Sequence, residues 1–130
     1  MLSIYKASAG SGKTYTLTRE YLRMLLLDKP LPDDKRLPHS RILAVTFTKK
    51  STAEMKERIL RELYILATKP NTSEYITDFL SDNNISLNID QIQQRAQALL
   101  IGILQDYTRF SVSTIDGFFQ QVIRSFAKEL

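Results

Sequence analysis

A chain of 130 residues, 43% hydrophobic and 25% charged, is one domain or part of one, with enough apolar surface for a single core. No apolar run approaches the ~20 residues that cross a bilayer. The absence of cysteine excludes disulfides and thiolate metal sites, and the single histidine, His39, makes a poor metal centre. The first residues lead straight into a predicted strand and a glycine-rich loop, leaving no room for a signal peptide. A cytoplasmic protein with no membrane partner is the expectation. The net charge of +4 is unevenly spread: residues 1–58 hold 12 basic and 6 acidic side chains, 59–108 hold 3 and 6, and 109–130 hold 3 and 2. A polyanionic partner belongs near the first segment, away from the middle one; an ordinary solvated surface is the alternative.

In chain order, LSIYKAS predicts a short strand running into ASAGSGKT (7–14). A helix follows Gly12, with Leu17, Tyr21, Met24 and Leu25 at helical spacing and Pro30 bounding its end. KPLPDDKRLPHS holds three of the four prolines and reads as a loop. ILAVTF (42–47) is a continuous apolar run, as in a parallel strand covered on both faces. TKKSTAEMKERILRELYILA then predicts a helix with Ser51 and Glu54 as a capping box and Met55, Ile59, Leu63 and Leu66 as its buried stripe.

In the middle segment, Asn71 with Glu74 predicts the cap of a short helix. Asn88 with Gln91 predicts the cap of a longer one, in which Ile92, Ala96, Leu99, Leu100, Ile103 and Leu104 share a face. FSVSTI (110–115) alternates like a strand. Asp116 reads as the cap of a last helix with Phe119, Val122, Ile123, Phe126 and Leu130 on its inner side. Strands joined through helices make an α/β fold with a three-strand parallel sheet and right-handed connections. Ligands of such a sheet bind beyond the carboxyl ends of the strands, where ASAGSGKT, TFTKKST and STIDGFF lie.

ASAGSGKT has the form of a phosphate-binding loop. Between a strand and a helix, main-chain N–H groups over Ala9, Gly10, Ser11 and Gly12 can converge on phosphate oxygens, helped by the helix N-terminus. Lys13 can reach the β- and γ-phosphates as the catalytic lysine, and the Thr14 hydroxyl suits Mg²⁺. Ala7 replaces the usual first glycine, which alanine satisfies with a negative φ. In TFTKKST, Lys49 and Lys50 precede a helix and oppose its dipole by ~0.3–1 kcal/mol each unless an anion lies there. Phe47 beside them is either core or a ring for an unstacked base. In STIDGFF, Asp116 and Phe119 have the plain roles of cap and core, which leaves Thr114, Gly117 and Phe118 as a lip on the same crevice.

ASAGSGKTYTLTREYL, ILAVTFTKKSTAEMKERI and VSTIDGFFQQVIRSFAKEL, in that order, resemble motifs I, Ia and Ib of the UvrD/Rep-like superfamily 1 helicases, nearest to the RecB/AddA helicase-nuclease branch of double-strand-break repair. The resemblance covers residues 1–27, 41–67 and 109–130. It implies a P-loop NTPase: the N-terminal part of a first RecA-like domain, with 68–108 as a helical insertion. It implies ATP and Mg²⁺ as cofactors, bound by Gly10, Gly12, Lys13 and Thr14, with Tyr15 beside them where the UvrD-like branch often has arginine. Thr46, Phe47, Thr48, Lys49, Thr114, Asp116 and Gly117 would line a single-stranded DNA path. Lys49, Ser51 and Thr52 stand where the family has Asn, Ala and Ala, and Asp116 where it has His. No glutamine motif for adenine precedes the loop.

For the full-length protein the family implies 3′→5′ translocation on single strands, duplex unwinding, recombinational repair and a partner subunit in a helicase-nuclease complex. No apolar run here ends in the acidic pair that hydrolysis requires. The chain therefore reads as the N-terminal piece of a longer protein, inactive alone. The alternatives are a small P-loop phosphotransferase, such as a nucleoside or metabolite kinase, and a non-enzymatic nucleic-acid-binding module.

Overall fold

Three short parallel strands each deliver the chain into a helix at their carboxyl ends. The computed structural model describes residues 6–7, 11–28, 37–46, 48–110 and 112–129. In chain order these form β1 (Lys6–Ala7), α1 (Ser11–Leu27), β2 (Ala44–Thr46), α2 (Lys49–Thr68), α3 (Ile76–Leu80), α4 (Ile89–Gln105), β3 (Val112–Thr114) and α5 (Ile115–Glu129). β2 pairs in parallel with β3 on one side and with β1 on the other. All three residues of β2 are buried, as its unbroken apolar run requires. Among the described residues no helix is long and apolar enough to cross a membrane.

The core lies where α1, α2 and α4 meet. Leu22 and Leu25 of α1, Ile59 and Leu63 of α2, and Ile92 and Ile103 of α4 are almost fully buried in one cluster. The α2 stripe Met55, Ile59, Leu63 and Leu66 is the one its periodicity predicts. α4 also closes the carboxyl ends of its neighbours, whose last carbonyls have no intrahelical partner. Gln93 and Gln97 both donate to the Ala67 carbonyl, at 3.2 and 3.0 Å. Arg95 donates to the carbonyl of Asp28, just past α1, at 2.6 Å. His39 is buried, its Nε2 2.9 Å from the Asp106 carbonyl oxygen. Among the described residues no cluster of three or more metal-ligating side chains occurs.

Several local expectations are corrected. α2 is capped by Thr48, whose hydroxyl accepts from the Ser51 amide at 3.0 Å, so Ser51 is inside the first turn and the Ser51–Glu54 capping box does not form. Thr48 sits in extended conformation with Ser51 three residues on, the geometry a cap needs. Asn71 lies in a 3-10 turn, Pro70–Thr72, and caps nothing; α3 starts after Tyr75 with no side-chain cap. The Asn88–Gln91 capping box is present in both directions. Thr114, not Asp116, satisfies the start of α5: its Oγ1 accepts from the Gly117 amide at 3.1 Å.

Two apolar faces are narrower than their periodicity suggests. Leu104 is exposed near the end of α4, and on α5 Phe119, Ile123 and Phe126 are 57%, 66% and 65% exposed, while Leu130 lies outside the described residues. α5 meets β2 and β3 chiefly.

Glu62 is the exception within the α2 stripe. It is 5% exposed, and its Oε2 has no hydrogen-bond partner among the described residues. Burial, then the charge of Glu74, pushes its carboxyl above the usual glutamate range. The unfolded chain therefore loses this proton first. Stability falls as pH rises from the unfolded value of about 4.3 through the higher folded one. Glu62→Gln should leave stability near wild type at pH 4 and raise it by on the order of 1 kcal/mol at pH 8, measured by urea unfolding at both pH values. Thr48→Ala should cost about 1 kcal/mol through the lost α2 cap, with Thr48→Ser close to wild type, in the same measurement.

Candidate nucleotide and nucleic-acid site

The pairing register brings the three turns to one level. Ala7 is opposite Thr46, and Thr46 is opposite Thr114. Neighbouring strands lie about 4.8 Å apart, so this row is roughly 10 Å long. Each of its members is the last residue of its strand, and the three strands run in the same direction.

At the first turn, α1 begins at Ser11, so Gly12, Lys13 and Thr14 are helical positions. This is two residues earlier than the start after Gly12 that the sequence suggested. The first turn of α1 holds no acidic residue, so the positive end of a 17-residue helix is not neutralised from within. Thr14 is half-buried. Ala9 and Gly10 lie outside the described residues, as does Phe47 in the second turn.

Tyr15 points toward the middle segment. Its ring lies 4.6 Å from that of Tyr75, tilted by 32°. Its hydroxyl donates to the Glu74 carbonyl at 3.4 Å, and the Tyr75 hydroxyl donates to the Tyr15 carbonyl at 3.4 Å. Both are long for hydrogen bonds. Tyr75 is fully buried, and burial pushes its phenol up to about 12, so it remains a neutral donor at ordinary pH. Arg58 of α2 holds the Glu74 carboxylate at 3.1 Å. Nothing in ASAGSGKTY pointed to Glu74 and Tyr75; their places follow from how the middle segment folds back on α1.

The second turn rests on a cluster of hydroxyls. Thr46 is 1% exposed; its Oγ1 lies 2.5 Å from that of Thr52 and donates to the Thr48 carbonyl at 3.2 Å. Thr48 Oγ1 donates to Ser51 Oγ at 2.9 Å, and Thr52 Oγ1 donates to the Thr48 carbonyl at 3.1 Å. Ser51 and Thr52, two departures from the motif, are thus the partners that brace this turn. Thr48, Lys49 and Lys50 are exposed. The lysines lie inside the first turn of α2, which has no acidic residue, so two cations oppose the helix dipole there.

At the third turn Thr114 and Gly117 are half-buried and Asp116 is exposed. A Cβ added to Gly117 would stand 3.1 Å from the Thr114 hydroxyl, so glycine leaves room for the amide bond that starts α5. Thr46, Thr48, Lys49, Thr114, Asp116 and Gly117 are thereby gathered around two adjacent strand ends. Ser11 to Tyr15 begin the helix that follows the third.

The model of the UvrD/REP helicase N-terminal domain matches residues 3–130. The chain is 36% identical to the RecBCD enzyme subunit RecB of Escherichia coli strain K12 over 92% of its own length and 10% of that protein. It is 31% identical to one of the subunits of the ATP-dependent helicase/nuclease of Lactobacillus johnsonii, over 95% of its length and 8% of that protein. With a probable DNA helicase II homolog of Mycoplasma capricolum it shares 37% identity over 65% of its length and 10% of that protein. The chain thus spans roughly a tenth of the length of the RecB proteins it matches. No solved structure matches it. Matched across nearly all of its residues, the chain belongs to the UvrD/REP helicase N-terminal domain family.

Proposed function

We propose that these residues are the nucleotide-binding N-terminal part of the first RecA-like domain of an ATP-dependent DNA helicase, with the fold of a P-loop NTPase. In this reading a three-strand parallel core carries the site and 68–108 is a helical insertion. The observation that carries it is the row Ala7–Thr46–Thr114, which brings to one level the three strand ends that precede the glycine-rich, basic and threonine-bearing segments, at the end of a parallel sheet where ligands bind.

The residues at the first turn fit a polyphosphate: a long helix N-terminus without acidic side chains, preceded by residues small enough for close approach. Main-chain amides from Ala9 through Thr14 would hold the phosphates, with Lys13 neutralising their charge, Thr14 holding Mg²⁺ and Tyr15 flanking them. When bound, MgATP supplies the phosphoanhydride whose hydrolysis drives movement. At the second and third turns Lys49 would meet phosphate, Phe47 would offer its ring to a base, and Thr48, Thr114, Asp116 and Gly117 would line the strand's path. Thr46 would act from within by holding its turn.

The full-length protein, on this reading, moves 3′→5′ on single-stranded DNA and opens duplexes in recombinational repair in the cytoplasm. An exonuclease activity and a partner subunit belong to the same reading, which the RecB and helicase/nuclease relatives support. Among the described residues no strand ends in an acidic pair, which supports binding without turnover in these 130 residues.

Titration calorimetry with MgATP tests the first turn. Lys13→Ala should weaken binding at least about tenfold, with no steady hydrolysis by either form; absence of saturable binding by wild type would overturn the reading. For the second turn, fluorescence anisotropy with a labelled oligothymidylate should show weaker binding by Lys49→Ala/Lys50→Ala. Its dependence of log K on log salt should be shallower by ~0.7 for each phosphate that the variant no longer neutralises. In the full-length protein, DNA-stimulated hydrolysis separates a helicase from a metabolite kinase.

A further inference from the structure

Tyr15 and Tyr75 are 60 residues apart in sequence and belong to different parts of the fold, yet Tyr15 is joined to Tyr75 and its neighbour Glu74 in three ways. Their rings are in contact, the Tyr75 hydroxyl reaches the Tyr15 carbonyl, and the Tyr15 hydroxyl reaches the Glu74 carbonyl. The middle segment therefore grips both the side chain and the main chain of the residue that follows Lys13 and Thr14.

The grip is itself held from two directions. Phe79 of α3 stacks with Tyr75, its ring 6.1 Å away. Arg58, one turn before Glu62 on α2, fixes the Glu74 carboxylate. The Ser73 hydroxyl accepts from the Tyr75 amide at 3.1 Å, which fixes the backbone that carries both Glu74 and Tyr75. α2 starts at the basic turn and passes under this cluster, so the cluster touches the helices that leave two of the three turns.

We propose that Tyr75, with the Glu74 carbonyl, is a positioning element for the phosphate loop: it fixes the first turn of α1 and couples nucleotide occupancy there to the middle segment. This rests on the nucleotide reading of the loop. Tyr75 touches no ligand in this scheme; it acts through Tyr15. Displacement of the first turn of α1 on nucleotide binding moves the Tyr15 carbonyl and ring, and the buried Tyr75, stacked with the buried Phe79, must follow.

The test uses amide NMR spectra of the 130-residue chain with and without saturating MgATP. In wild type the signals of Glu74 and Tyr75 should shift together with those of Lys13 and Thr14. Tyr75→Leu should weaken MgATP binding about fivefold, with Tyr75→Phe, which keeps the ring contact, restoring it to within about twofold. Loop signals that move while Glu74 and Tyr75 stay still, or wild-type affinity in Tyr75→Leu, would overturn this inference alone. Loop signals unmoved in wild type would overturn the nucleotide reading and this inference with it.

Discussion

The register of β2 against its two neighbours is the constraint on which the candidate site depends. With Thr46 opposite both Ala7 and Thr114, the three strands end at one level. Strand side chains alternate faces, so a slip of one residue between β2 and β3 would reverse which side chains face α2 and would offset two of the turns by ~3.3 Å. Burial of all three β2 residues makes such a slip costly, because it would put the inward hydroxyl of Thr46 on the other face and leave its partners without it.

The second turn illustrates how polar residues hold a basic surface in place. Lys49 and Lys50 in the first turn of α2 work against the helix dipole, and Thr48 offsets part of that cost by capping the same turn. Behind it, the hydroxyls of Thr46 and Thr52 lie against each other and bond to the Thr48 carbonyl, and the Ser51 hydroxyl accepts from that of Thr48. Alanines at 51 and 52, as in the family motif, could not make these bonds. The two departures thus rigidify the segment that presents the lysines, an arrangement suited to an anion that must meet the charges in a fixed place.

The middle segment has a structural part and a connecting part. α4 packs along α2 and closes the ends of α1 and α2 with the amide and guanidinium groups of Gln93, Gln97 and Arg95. The cluster of Arg58, Glu74, Tyr75 and Tyr15 lies at the junction with α1, and Glu62 is buried beside it. A carboxylate there costs stability at neutral pH.

Sequence by itself determined the order of strands and helices, the α2 stripe, the Asn88–Gln91 cap and the three turns, because each is written in neighbours within about four residues: apolar spacing, a side chain three positions from an amide, glycine before Lys-Thr. It misplaced the caps of α2 and α5 by two or three residues, since TKKST and STID each offer more than one hydroxyl or carboxyl candidate and only the backbone path selects between Thr48 and Ser51, or Thr114 and Asp116. Only tertiary structure decided that Phe119, Ile123 and Phe126 stay open, that Glu62 is buried, and that Tyr15 meets Tyr75. Those outcomes depend on which distant element lies against a helix face, and periodicity specifies a face without naming what covers it.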